Sequence, residues 1–265
     1  MPISHDGRPH SDIRGSIGPA LAALDAIGLE GLDAVKLLNR TDTKFMFHAS
    51  ALPDVLAEIA PEYYVLEIDG RRIFDYDTLY FDTDDFALYR LHHNGKPNRL
   101  KVRFRKYLDS GLCYFEVKHK LKGARTDKRR AKVADFADEL GHAEAALIDY
   151  DGVAPGLLRR KMAVRFSRIT LASRTFSERL TLDLDIGFDN RRETVRLPDI
   201  VIAEVKADKQ SRHSPIVRSF KRRRFERTSF SKYATSVAML EAVKANAFKP
   251  NLIRIERIAN GKRGV

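Results

Sequence analysis

The chain has 265 residues, 43% hydrophobic and 32% charged, with a formal net charge of +12. That suits one large domain or two small ones with an ample core, and it implies an anionic partner: nucleic acid, phosphate-rich polymer, nucleotide or acidic membrane surface. The one cysteine, Cys113, excludes an intramolecular disulfide, and without CxxC or clustered His/Cys a zinc site is not expected. No stretch approaches ~18 uninterrupted apolar residues, and the charged start around Asp6, Arg8 and Asp12 does not read as a signal peptide. A soluble, cytoplasmic protein is the expectation.

Residues 1–16 lack periodicity and read as a disordered tail. Ile17, Leu21, Leu24, Ile27 and Leu32 make a loosely helical pattern over 17–38, broken by Gly28 and Gly31. In 39–48, Arg40, Asp42 and Lys44 share one face if the segment is a strand; a polar edge strand reads equally well. Residues 50–60 predict a helix with Ser50 as N-cap, Pro53 in the first turn and a Leu52, Val55, Leu56, Ile59 stripe, stopped by Pro61. Two strands follow, YYVLEID and FDYDTLYFD, turned at Gly70-Arg71; then a helix over 84–92, capped by Asp82 or Thr83, and an Asn94-Gly95 turn.

Residues Arg99 to Lys120, RLKVRFRKYLDSGLCYFEVKHK, alternate strictly on both sides of the turn Leu108-Asp109-Ser110-Gly111. Lys101, Arg103 and Arg105 oppose Leu100, Val102 and Phe104. Tyr114, Glu116, Lys118 and Lys120 oppose Phe115 and Val117. This is a β-hairpin with one charged and one apolar face, and its charges could simply meet water. Lys128, Arg130 and Lys132 alternate as a further strand or form a solvated basic loop after a loop over 121–127. Residues 136–150 and 154–162 predict helices. In 163–172 Phe166, Arg168 and Thr170 share a face, but the pattern alone is ambiguous; residues 178–188 and 200–207 predict strands. The two strands place Arg179, Thr181, Asp183 and Asp185, then Glu204 and Lys206, on polar faces. A helix over 214–225 starts at Ser214-Pro215 and carries the basic run Lys221 to Arg224, which reads as a solvated helix end. A last helix over 229–247 has Ser231, Lys232 and Tyr233 at its start, where a lysine suits phosphate. Residues 249–265 read as a basic tail.

About eight strands share this alternation, and helices with one apolar face lie between them. If those helices cover the outside of a curved sheet, the apolar strand faces point out and the charged faces line a cavity. Unpaired buried charge costs several kcal/mol, so a cation-lined cavity requires a polyanion. Arg grips phosphate with two donors and Lys adds point charge. Glu116, Asp183, Asp185 and Glu204 could then hold Mg²⁺ or Mn²⁺, or simply pair with neighbouring cations.

RTDTKF (40–45), YDTLYFDT (76–83), the Tyr89 to Gly95 segment, RLKVRFRKY (99–107), YFEVKHK (114–120), the basic strand near Lys128, RFSRITL (165–171), RLTLDLD (179–185), AEVKA (203–207) and SFSKY (229–233) in this order resemble the VTC domain. That is the polyphosphate polymerase branch of the CYTH-like, triphosphate tunnel metalloenzyme superfamily. The resemblance implies an α+β fold: an antiparallel eight-stranded β-barrel tunnel with flanking helices, as a single domain over 17–248 between the two tails. It implies Lys44, Arg103, Arg105, Lys118, Arg168, Arg179 and Lys206 as catalytic cations. Arg40, Lys101, Lys120, Lys128, Arg130, Ser231 and Lys232 would add phosphate contacts. For Mn²⁺ or Mg²⁺, Glu204 would lead, Glu116 follow, and Asp183 and Asp185 stand behind. Hydrolase and cyclase members of the superfamily open with Glu-x-Glu-x-Lys; here the stretch is Arg40-x-Asp42-x-Lys44, closer to the polymerase branch.

The expected reaction is metal-dependent transfer of the ATP γ-phosphate to a growing inorganic polyphosphate chain, by positioning and charge neutralisation. ATP or another nucleoside triphosphate, and polyphosphate, triphosphate or pyrophosphate, are the expected ligands. The alternatives are a triphosphate or polyphosphate hydrolase on the same fold and a non-catalytic polyphosphate-binding or sensing domain. Nucleic acid is disfavoured: aromatics are 9%, Trp is absent, and no RNA motif interleaves the basic runs. Docking on the inner face of a membrane through Lys221–Arg224 and the C-terminal tail, with a membrane-protein partner, would be an added property.

Overall fold

The structure, a computed structural model, describes residues 13–33, 40–121, 126–208 and 214–261. Helix α1 (Ile13–Ala22), strand β1 (Asp25–Ile27) and helix α2 (Leu29–Asp33) come first. Strand β2 (Arg40–His48) leads to α3 (Leu52–Ile59), β3 (Tyr63–Leu66), β4 (Phe74–Asp82) and α4 (Ala87–His93). The central hairpin is β5 (Arg99–Tyr107) and β6 (Cys113–Lys120), continued by β7 (Thr126–Val133) and α5 (His142–Ala146). Next come β8 (Arg159–Ser173), β9 (Glu178–Asp189), β10 (Thr194–Leu197), β11 (Ile200–Asp208), α6 (Pro215–Arg222), β12 (Arg227–Thr228), α7 (Lys232–Leu240) and α8 (Lys249–Ala259).

The strands form one sheet in the order β12-β2-β11-β9-β8-β4-β5-β6-β7, with β1, β3 and β10 attached at its margins. Every neighbouring pair along this path is antiparallel, so the α+β class holds and the eight long strands are those read from the alternation. Closure does not hold as expected. β7 and β12 end the path, and among the described residues no ladder joins them. The sheet nevertheless curls. Lys44 of β2 donates to the Phe230 carbonyl at 2.9 Å and Lys101 of β5 to Ser231 Oγ at 3.0 Å, so strands far apart in the order meet at one point.

Period-two alternation decides what each face buries. On the convex side α1, α3 and α6 cover Phe45, Phe47, Leu180, Leu182 and Val201. The apolar face of the hairpin (Val102, Phe104, Phe115, Val117) packs on Ile148, Val153 and Leu158. One end of the concave side is apolar too: Tyr233, Ala234 and Val237 of α7 fill it against Met46, Val164, Ile186, Phe188 and Ile202. Each such side chain contributes about 1.5–3 kcal/mol when fully buried, so these clusters can carry a sheet whose remaining concave surface is charged.

Several segments differ from the periodic reading. Residues 154–162 are not a helix; β8 already runs from Arg159, because Asp82 and Phe81 of β4 pair with Arg159 and Arg160. Over 136–150 only His142–Ala146 is helical, the rest being draped across the hairpin with Phe136, Leu140 and Ile148 inward. The last helix of the expected domain stops at Leu240. The basic tail begins as α8, with Pro250 in its first turn and Asn251 and Ile255 buried. The N-terminal tail is helical from Ile13, and residues 1–12 lie outside the described residues. Ser50 sits in a 3-10 turn rather than capping α3, whereas Ser214 and Ser231 do cap, accepting from Val217 N and Ala234 N. Among the described residues no helix is long and apolar enough to cross a membrane.

Candidate functional site

The polar part of the concave surface is assembled by register. Lys101, Lys118 and Lys128 are direct partners across β5, β6 and β7; so are Arg103, Glu116 and Arg130 in the next row. Like charges set directly opposite destabilise a sheet, and one carboxylate offsets this row. Arg103 Nε and Nη2 donate to Glu116 Oε2 at 2.8 and 2.5 Å, and Lys128 Nζ lies 3.1 Å from Oε1. Burial pushes Glu116 up, but Arg103, Arg105 and Lys128 outweigh it and hold the group at about 2.

A second cluster forms where β8, β9 and α7 meet. Arg168 Nε and Nη2 donate to Asp183 Oδ1 and Oδ2 at 2.6 and 2.9 Å, and Lys232, the first residue of α7, also binds Asp183. Burial works against the Arg168 charge, yet Asp183 raises its pKa overall; burial brings Lys232 down to about 8 despite Asp183. Burial and the charges of Lys44, Lys118, Arg103 and Arg99 press Lys101 well below its usual range. The third acid, Glu204 of β11, is paired by register with Lys44 and approached by Lys206 at 3.6 Å and Lys44 at 4.0 Å, beyond hydrogen-bonding range. Burial raises Glu204, but Lys44, Lys206, Arg168 and Lys232 hold it at about 2.

An aromatic floor completes the site. The Arg168 guanidinium lies 5.3 Å from the Tyr76 ring and 5.2 Å from Phe166, Arg105 lies 5.7 Å from Tyr76, and Lys232 Nζ 4.2 Å from Phe166. Tyr80 receives a hydrogen bond from Arg103 at 3.1 Å and stacks on Tyr233. The alternation of Tyr76 and Tyr80 is visible in the sequence, but nothing there says which cations they face. Arg105 Nε and the hydroxyls of Thr78 and Thr181 are buried without a protein hydrogen-bond partner. Thr78 is the register partner of Arg105, and Thr181 of Glu204. These orphaned polar atoms sit among the cations and are suited to an oxygen-rich ligand.

Lys44, Lys101, Arg103, Arg105, Lys118, Arg168, Lys206, Ser231 and Lys232 therefore lie on the same concave surface as Glu116, Asp183 and Glu204. Arg179 is beside Lys206 across β11 and donates to the Leu32 carbonyl of α2. Lys120 pairs with Arg99 at the end of the hairpin, and Arg130 lies 5.0 Å from the Tyr114 ring; both are exposed, as are Lys118 and Lys128. Arg40 opens β2 opposite Asp208, and its side chain is outside the described residues. Asp185 does not join them. β9 carries an extra residue opposite Arg165–Ser167, and Asp185 takes φ 49° there. A bulge reverses the alternation, so Asp185 points to the convex side, 3.7 Å from Arg14 of α1. Of the basic run, Arg222 and Arg223 are tied to Glu58 of α3.

Among the described residues no three of His, Cys, Asp or Glu come together as a metal cage. Glu116 and Asp183 each already bind two cations. Glu204 is the carboxylate whose oxygens face the cavity without a hydrogen bond from either neighbouring lysine. One oxygen donor fits a hard divalent ion that takes its other ligands from phosphate and water, as Mg²⁺ commonly does.

The sequence profile of the VTC domain matches residues 39–241. No curated protein matches the chain. Among solved structures, an adenylyl cyclase candidate from Hippeastrum with a dominant triphosphatase activity is similar at 13% identity and TM-score 0.47, over 77% of this chain and 98% of that one. An adenylate cyclase candidate from Vibrio parahaemolyticus is similar at 11% identity and TM-score 0.42, over 75% and 98%.

The Glu116 cluster sets an acid limit on stability. A carboxyl held at about 2, against an ordinary 4.5, contributes stability that is fully present above about pH 4.5 and lost as pH falls towards 2. Glu116→Gln should lower unfolding free energy at neutral pH by about 3 kcal/mol, the low end for a buried pair because Lys128 is half-exposed. The gap from wild type should narrow through that acid window in denaturant titrations.

Proposed function

The chain belongs to the VTC-domain family, and on that footing we propose that it transfers the γ-phosphate of ATP to a growing inorganic polyphosphate chain held on the concave surface. The observation that carries this reading is the row Lys101–Lys118–Lys128, three aligned cations beside a single carboxylate, Glu116, that Lys128 shares with Arg103. A linear polyanion spanning several strands satisfies those charges together, and a single small anion does not.

In this reading a terminal polyphosphate oxygen attacks the γ-phosphorus of ATP; the bond to the β-phosphate oxygen breaks, ADP leaves, and the chain is longer by one phosphate. Arg103, Arg105 and Arg168 offer forked donors to the equatorial oxygens, where charge spreads in the transition state. Their cost in the empty protein is limited by Glu116, Asp183 and the rings of Tyr76 and Tyr80, which also hold each guanidinium in place. Lys44, Lys206 and Lys232 complete the wall around Glu204. Glu204 would hold Mn²⁺ or Mg²⁺, and the ion would supply Lewis-acid neutralisation of phosphate charge. The β2 strand has Arg40 and Asp42 where related hydrolases carry two glutamates, with Lys44 kept at the lysine position, which favours phosphate over water as acceptor.

Incubation of the purified protein with ATP and Mn²⁺ should yield long-chain polyphosphate and ADP in step. Free phosphate without polymer would replace this reading with hydrolysis at the same site; neither product, with a triphosphate-induced rise in Tm, would replace it with a binding module. Joint replacement Arg103→Ala and Arg105→Ala should abolish triphosphate binding, and unchanged affinity with an intact fold would remove the site assignment. Glu204→Gln should cost turnover about 10²-fold or more while leaving much of the triphosphate affinity; a binding module would be almost indifferent to it.

A further inference from the structure

Tyr107 and Tyr114 belong to no part of the reading above, yet they continue the cation wall. Read inward from the turn of the hairpin, the concave face of β5 presents Tyr107, Arg105, Arg103 and Lys101, alternate residues about 7 Å apart. Tyr107 is the register partner of Tyr76 on β4, and Tyr114 of Arg105 across the hairpin. The rings of Tyr76 and Tyr107 have centroids 5.0 Å apart, and Tyr107 meets Tyr114 edge-on at 6.0 Å. Phe166 of β8 lies parallel to Tyr76 at 5.0 Å, so the rings run across four adjacent strands.

These rings differ in what they touch. Phe166 is buried, and together with Tyr76 it carries the Arg168 guanidinium; Arg130 lies over Tyr114. Tyr107 and Tyr114 are half-buried, and among the described residues no ring is stacked parallel on Tyr107. The backbone here is fixed: Tyr107 N donates to the Leu112 carbonyl at 2.8 Å, and Leu108 N to the Asp75 carbonyl at 2.9 Å. Leu108 and Leu112 themselves are exposed, at 47% and 37%, so this end of the surface carries apolar side chains that the core does not use. The one carboxylate of the turn, Asp109, is held by Arg71 and the Asp75 amide. Rings and leucines do little for a phosphate, but they offer a flat aromatic ligand faces to stack on.

An anion gripped by Arg103 and Arg105 has a different neighbour at each end. Beyond Arg103 lies the lysine row, which suits more phosphate; beyond Arg105 lie the rings, which suit a base. Resting on the reading of a nucleoside triphosphate as phosphoryl donor, we propose that Tyr107 and Tyr114 form its nucleobase subsite, on which the base stacks beside Leu112. The subsite orients the donor, with its terminal phosphate towards Arg103 and its nucleoside at the hairpin turn. Every base has a π-face, so these rings separate nucleotides from inorganic triphosphate rather than one base from another.

The test is calorimetry with two probes, the β,γ-imido analogue of ATP and inorganic tripolyphosphate, each with Mg²⁺. The proteins are wild type, Tyr107→Ala, Tyr114→Ala, Tyr107→Phe and Tyr114→Phe. Each Ala variant should bind the ATP analogue about tenfold more weakly and tripolyphosphate within about twofold of wild type. Each Phe variant should keep the wild-type affinity for both, because the ring rather than the hydroxyl makes the contact. A second readout needs wild type alone: in NMR the adenine H2 and H8 of the bound analogue should show Overhauser contacts to tyrosine ring protons. Equal losses of both probes in the Ala variants would mean that the rings only hold the arginines. That result, an unchanged affinity for the analogue, adenine protons without tyrosine contacts, or binding of tripolyphosphate alone overturns the nucleobase subsite and leaves the phosphate site standing. Failure of wild type to bind either probe overturns both.

Discussion

Mutual repulsion among aligned cations is the constraint on which this structure turns. Two unit charges ~8 Å apart in a half-buried setting of effective dielectric ~20 repel by about 2 kcal/mol, and Lys101, Lys118 and Lys128 are held in line by three adjacent strands. Side chains free to splay would relieve this. The sheet limits that freedom because its apolar face is locked on the other side, with Val102, Phe104 and Phe115 wholly buried. The convex clusters thus do more than hold the fold: they oppose the relaxation that would otherwise scatter the cations. A ligand that neutralises the row then binds to a surface already arranged for it, which reduces the ordering cost of association.

The apolar end formed by α7 serves the same arrangement. Tyr233 is buried and donates to Asp82, which also caps α4, so one carboxyl ties both helices to β4. Lys232 is the neighbouring residue, and its ammonium reaches Asp183 on β9. Ser231, the N-cap, accepts from Lys101 on β5. Three consecutive residues therefore fasten the helix start to three separate strands, and the positive end of the helix faces the same side as the lysines and arginines. Tyr80, stacked on Tyr233, makes this junction continuous with Arg103.

Much of this was legible in the chain. Strict alternation in Arg99–Lys120, Glu178–Leu184 and Ile200–Ala207 is a consequence of a sheet with one apolar face, and it survives in the structure because both faces have distinct environments. The helix cap at Ser214 was legible for the same local reason. The failures are non-local. Asp185 looks equivalent to Asp183 until an extra residue on β9 rotates it outward, and the pairing that places that bulge lies on β8. Residues 159–162 have no strand signature of their own and are extended because β4 is long enough to pair with them. α8 reads as a solvated basic tail because only Asn251 and Ile255 of its residues are buried.

The outermost strand of the path, β7, leaves a row of backbone amides and carbonyls without a ladder partner among the described residues. Such an edge is a template for pairing with another copy, and inserted lysines are a common protection against it. Here the exposed positions from Lys128 onward are Lys128, Arg130 and Lys132, so two such edges brought together repel. On the proposed function, the charges that would draw in a polyanion also oppose edge-to-edge pairing of two copies of this chain. Colloidal behaviour would then be coupled to occupancy: an anionic chain spread over Lys128 and Arg130 would remove part of that protection as it filled the site.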